Sequence, residues 1–160
     1  MPRARILVLF VLLQTLAAIP ARADITAFIG VNTTPANRIV TGGALSVSLL
    51  VVGFEAEYAQ TQPDDASAAP SLRTGMGNVF VQNPIPIAGI QFYVTTGGGL
   101  YREEVASSST TNFGVNTGAG ARIELISHVR LRVDYRIFNL RGAPRNATPK
   151  RIYVGLSLSL

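Results

Sequence analysis

The sequence predicts an all-β chain: an eight-stranded, antiparallel, up-and-down transmembrane β-barrel over residues 24–160, preceded by a removable leader over residues 1–23. Three observations lead there. Apolar and polar residues alternate with a period of two through nearly everything after residue 24, which places each set on its own face of a strand. The connectors between these segments are long and short by turns, so all the long ones emerge at one end of a meander. The polar phase is Gly, Ser, Asn, Thr and Tyr with a few charges, and Lys150 is the only Lys. A water-facing surface would carry Lys and Glu in quantity, so the apolar phase is expected to face outward into lipid.

The opening MPRARILVLFVLLQTLAAIPARA has a positive start in Arg3 and Arg5 and an apolar run from Ile6 to Ile19 broken only by Gln14 and Thr15. Ala21-Arg22-Ala23 fits an A-x-A cleavage site, so the cut is expected between Ala23 and Asp24. The apolar run is shorter than the ~20 residues a spanning helix needs.

Eight strands follow, at 24–32, 38–49, 52–61, 73–83, 89–102, 112–126, 129–139 and 150–160. Ile25, Ala27, Ile29 and Val31 define the apolar phase of the first, Leu45, Val47 and Leu49 the second, and Phe54, Ala56 and Tyr58 the third. Val79 and Val81 define the fourth, and Ile90, Phe92, Val94 and Leu100 the fifth. The sixth opposes Phe113, Val115, Ala119, Ala121 and Ile123 to Asn116, Gly118, Gly120, Arg122 and Glu124. The seventh is the clearest: Val129, Leu131, Val133, Tyr135 and Ile137 alternate with Arg130, Arg132, Asp134 and Arg136. The eighth runs Ile152, Val154, Leu156, Leu158 and Leu160 against Arg151, Tyr153, Gly155, Ser157 and Ser159. Thr33–Ala36, Gln62–Ser71, Glu104–Thr111 and Asn139–Pro149 are polar and mostly long; Leu50–Val51, Pro84–Ala88 and Ser127–His128 are short.

Composition removes several functions. The chain has no Cys and one His, which excludes a disulfide scaffold and a Cys/His zinc site. Setting aside Arg3, Arg5 and Arg22 leaves eleven basic residues against nine acidic, a net charge of about +2 without the basic footprint that nucleic acid requires.

The "GAGARIEL…VRLRVDYRIFNLRG" hairpin and the closing "RIYVGLSLSL" resemble the small outer-membrane β-barrel domains of Gram-negative bacteria, the eight-stranded OmpA/OmpX-like kind. The resemblance covers about residues 24–160. It implies a non-enzymatic, monomeric, integral outer-membrane protein without a cofactor, in contact with outer-membrane lipids and lipopolysaccharide. It also implies recognition by the insertion machinery through the C-terminal strand. Where that family closes on an aromatic residue, this chain has Leu160. The alternatives are an outer-membrane lipid-modifying enzyme and a soluble, secreted, lipocalin-like ligand-binding barrel.

Catalytic and metal sites find little support. His128 falls in a short turn, away from the long-loop end where a Ser–His pair acting on lipid would sit. Gly97-Gly98-Gly99 and Gly118-Ala119-Gly120 are followed by no Gly-Lys-Ser/Thr, and read as small residues that leave room inside a barrel. Asp64-Asp65 is too sparse for calcium.

The interior charges are Glu55, Glu57, Glu124 and Asp134 against Arg122, Arg130, Arg132 and Arg136. An eight-stranded barrel is only wide enough for its own side chains, so these must pair. A register in which partner numbers sum to 256 sets Glu124 opposite Arg132 and Arg122 opposite Asp134, with Ser127, His128 and Val129 as the turn; a sum of 254 sets Arg122 opposite Arg132. The attractive register is expected, giving a plugged barrel and not a pore.

Overall fold

The computed structural model describes residues 21–105 and 108–160, so the leader expected over residues 1–23 lies almost wholly outside the described residues. Eight strands form: β1 Arg22–Asn32, β2 Arg38–Ser48, β3 Val52–Thr61, β4 Ser71–Gln82, β5 Ile90–Val105, β6 Ser108–Ile126, β7 Val129–Leu140 and β8 Lys150–Ser159. Each pairs antiparallel with its neighbours in sequence, and β1 pairs with β8 to close the barrel. At the seam Leu160 N donates to Ala23 O, and on the β7 side of β8 Ser159 N donates to His128 O, both at 2.8 Å.

The alternation sorts as expected. Ile25, Ile29, Leu45, Phe54, Tyr58, Val94, Leu100, Val154 and Leu156 stand on the outer surface, and so do Phe92, Phe113 and Tyr135. A continuous belt of exposed Ile, Leu, Val and aromatic side chains is what a hydrocarbon environment requires and a water-facing barrel avoids. Phe54 and Phe92 stand near the short-turn end of their strands and Tyr58 and Phe113 nearer the loop end, whereas Tyr135 sits mid-strand in β7.

The connectors correct the sequence reading in two respects. Glu104–Thr111, expected as a long loop, is mostly strand: Arg102, Glu103 and Glu104 pair with Thr111, Thr110 and Ser109. β5 and β6 have 16 and 19 residues, more than the roughly 9–11 a tilted membrane strand needs. Their far ends project past the rim, where no apolar face is demanded, so a polar Ser/Thr run is compatible with strand. Conversely, residues 83–89 form a seven-residue connector at the short-turn end. It is tightened by an Ile87↔Ile90 bridge, with Ala88 and Gly89 at φ 51° and 78°, the left-handed pair of a primed hairpin turn.

Inside, aromatic rings fill space that glycines leave. A Cβ on Gly53 would stand 2.1 Å from Cζ of Phe80, and one on Gly120 would stand 2.3 Å from the Tyr93 hydroxyl. The lumen is layered. Leu72, Met76, Tyr101, Phe138 and Leu140 plug it toward the loop end. Phe28, Val40, Ala59 and Tyr153 form a second apolar group, with Phe28 and Tyr153 stacked at 4.2 Å. Charged side chains and neutral polar ones such as Thr26, Thr74, Asn78 and Asn116 occupy most of the rest.

A candidate functional site in the barrel interior

Three carboxylates and three guanidiniums meet in the middle of the barrel. Glu55 and Glu57 come from β3, Asp134, Arg132 and Arg136 from β7, and Arg151 from β8. Each points inward because it occupies the polar phase of its strand, and all six are buried. Arg136 touches all three acids: Nη2 lies 2.6 Å from Glu55 Oε1, Nη1 3.1 Å from Glu57 Oε2 and Nε 3.1 Å from Asp134 Oδ1. Arg132 bridges Glu55 and Asp134 at 2.5 and 2.8 Å. Arg151 reaches Glu57 at 3.1 Å and Thr74 Oγ1 at 3.3 Å.

Neutral groups complete the acceptors' demand. Tyr153 donates to Glu57 Oε2 at 2.9 Å, and Asn78 to Glu55 Oε1 at 3.2 Å. Tyr93 donates to Asp134 Oδ2 and accepts from Arg132 Nε at 2.8 Å. With three charges of each sign and nearly every oxygen occupied, the cluster meets the condition under which buried ion pairs are tolerated.

The β6–β7 register differs from the expected one. Arg122 stands opposite Arg132, Glu124 opposite Arg130 and Gly120 opposite Asp134, so partner numbers sum to 254. Ser127 and His128 form a two-residue turn, Val129 belongs to β7, and the register slips between Glu124 and Ile126, a bulge at the rim. The like-charge opposition is tolerated because an aromatic ring serves both guanidiniums: Arg122 and Arg132 lie 4.6 and 5.3 Å from the Tyr93 ring centroid. Arg122 also lies 4.6 Å from the centroid of Phe80. Cation–π contact of this kind is worth ~2 kcal/mol when desolvated.

The remaining expected residues divide. Arg130 pairs with Asp24 through Oδ1 near the short-turn end; Asp24 was expected only as the residue after the leader, although it shares the inward phase of Thr26 and Phe28. Glu124 is exposed at the mouth and not joined to Arg132. Arg151, absent from the expected cluster, was visible as the inward-phase residue of β8. Arg38 likewise follows the inward phase of Ser46 and Ser48, and is held by the carbonyls of Gln62 and Pro70.

Other candidates are placed elsewhere. His128 is exposed in the β6–β7 turn. Gly97, Gly99, Gly118 and Gly120 press against neighbouring strands and side chains. Asp64 accepts from Ala66 N at 3.2 Å and from Ser67 Oγ within its own loop.

No protein-family model matches the chain, and no curated protein matches it. Solved structures do. The N-terminal β-barrel domain of Pseudomonas aeruginosa OprF aligns over 87% of this chain and 97% of its own, with TM-score 0.69 and 13% identity. Neisserial surface protein A aligns over 88% and 96%, with TM-score 0.65 and 12% identity. The outer membrane enzyme PagL aligns over 84% and 98%, with TM-score 0.56 and 14% identity. The fold is therefore that of the small outer-membrane β-barrels: a closed, antiparallel, eight-stranded wall with an apolar exterior.

Proposed function

We propose that the protein is a non-enzymatic integral outer-membrane barrel, exported by its leader. Its wall anchors the β3–β4 and β7–β8 loops and the β5–β6 hairpin at the cell surface, for contact with lipopolysaccharide or other surfaces or for support of the membrane. The observation that carries this is the pairing of an apolar exterior with a lumen closed by matched charges and two apolar groups. The soluble ligand-carrier reading loses its basis, because such a barrel keeps its apolar phase inside. Against lipid hydrolysis stands His128, which lies at the opposite end from the long loops.

Three measurements test the proposal. The protein folded in detergent should migrate differently on gels with and without boiling, and should give no steady single-channel current in planar bilayers. Large steady currents would show an open lumen. Protease added to intact cells should cut first between residues 62 and 70 or between 141 and 149. First cleavage between 83 and 89 would invert the orientation.

A further inference from the structure

Two buried arginines have no carboxylate partner among the described residues: Arg38, which the carbonyls of Gln62 and Pro70 hold near the loop end, and Arg122. Glu55, Glu57 and Asp134 are matched by Arg132, Arg136 and Arg151, and Asp24 by Arg130. Arg122 is only 2% exposed. Its one hydrogen bond goes to the neutral Gln82 Oε1, at 2.8 Å, and its Nη2 has no acceptor among the described residues. Arg130 Nε is also without an acceptor there. The residue opposite Arg122 in the sheet is Arg132, so the neighbouring strand adds repulsion. Stacking against Phe80 and Tyr93 offsets part of the cost of burying a charge, but supplies no countercharge.

Beside this arginine a cavity of about 270 Å³ opens at the short-turn end. Arg122, Arg130, Gln82, Gln91, Ser48 and Glu124 line it, and Glu124 is the only acid in the lining. Arg22 lines it too in the uncut chain. One buried and one half-buried cationic side chain, two amides and a hydroxyl around one concavity are the donors that hold a tetrahedral oxyanion, and guanidinium edges match its oxygens pairwise. Polar donors alone would make a water pocket; the uncompensated Arg122 gives it a sign.

We infer that this mouth of the barrel is a binding site for a small oxyanion of the phosphate type, with Arg122 as its principal contact and Arg130 and Gln91 beside it. Its access from the periplasmic side rests on the orientation proposed above; the binding does not. An anion seated there gives Arg122 the countercharge it lacks, so occupancy stabilises the folded barrel.

The test is thermal unfolding of the intact protein in neutral detergent, followed by circular dichroism, in inorganic phosphate against chloride at equal ionic strength. Phosphate is expected to raise the midpoint by at least about 2 °C, saturably. Arg122→Gln should abolish the rise. Gln82→Glu is the control that does not depend on Arg122 being dispensable. It gives Arg122 a permanent carboxylate partner at the position Gln82 Oε1 now holds, so it should raise the midpoint in chloride and remove the response to phosphate. Glu124→Gln, which deletes the competing acid, should keep or strengthen the response. No phosphate effect on the wild type, or an equal effect in Gln82→Glu, would overturn the assignment. A wrong membrane orientation would change none of these readings.

Discussion

Arg136→Met is expected to cost about 3–5 kcal/mol of folding stability, the range for removing one partner from a buried ionic group. Among the described residues, Arg136 is the only side chain that contacts Glu55, Glu57 and Asp134 together. Without it the central cluster holds three carboxylates and two arginines. Arg132 and Arg151 are already committed to the same acids. The methionine fills most of the volume but leaves Glu55 Oε1 with only Asn78 and Asp134 Oδ1 with no donor. Glu57→Gln added to Arg136→Met restores charge balance and should recover part of the loss, so the two changes will not be additive. The chain has no Trp, so urea unfolding in lipid vesicles is best followed by circular dichroism or by the gel shift of the folded band. A loss below about 1 kcal/mol would mean that water enters and screens the cluster, and the filled-lumen reading would fall with it.

The wall of this barrel was legible in the sequence because its two faces face opposite demands. Hydrocarbon outside accepts Ile29, Leu45 and Val154 and no charge; the lumen accepts Arg132 and Asp134 because partners stand within reach. Period two in β7 or β8 therefore reports the face directly. The register of β6 on β7 was not legible, for a reason of scale. Pairing rules drawn from open sheets weigh the residue opposite and its diagonal neighbours. In a narrow closed barrel an arginine spans the lumen, so Arg132 and Arg136 of β7 find Glu55 on β3, across the barrel. The residue facing Arg132 in the sheet is then free to be another arginine, provided a ring such as Tyr93 lies against both. The extended ends of β5 and β6 were missed for a related reason. Past the rim neither face is constrained, and the alternation that marks a membrane strand disappears while the backbone pairing continues.

Val154→Arg is expected to destabilise the folded barrel by roughly 2–4 kcal/mol in a bilayer, the cost of a lipid-facing arginine near the midplane. Val154 lies mid-strand in β8, 44% exposed on the outer surface. It is flanked in register by Ile29 on β1 and Val133 on β7, both apolar. Among the described residues no carboxylate shares that face nearby, so the guanidinium must either desolvate or stretch toward the headgroups. The same substitution at Lys150, four residues toward the loop end on the same face, exchanges one cation for another near the rim and should change stability by less than about 1 kcal/mol. The position dependence is the informative part. A water-facing wall would accept Val154→Arg with little change, because an exposed charge on a strand surface stays hydrated. Equal, small effects at both positions, measured by urea titration in vesicles, would therefore remove the membrane-spanning reading of this belt. A large loss at Val154 with none at Lys150 locates the hydrocarbon boundary on β8 between them.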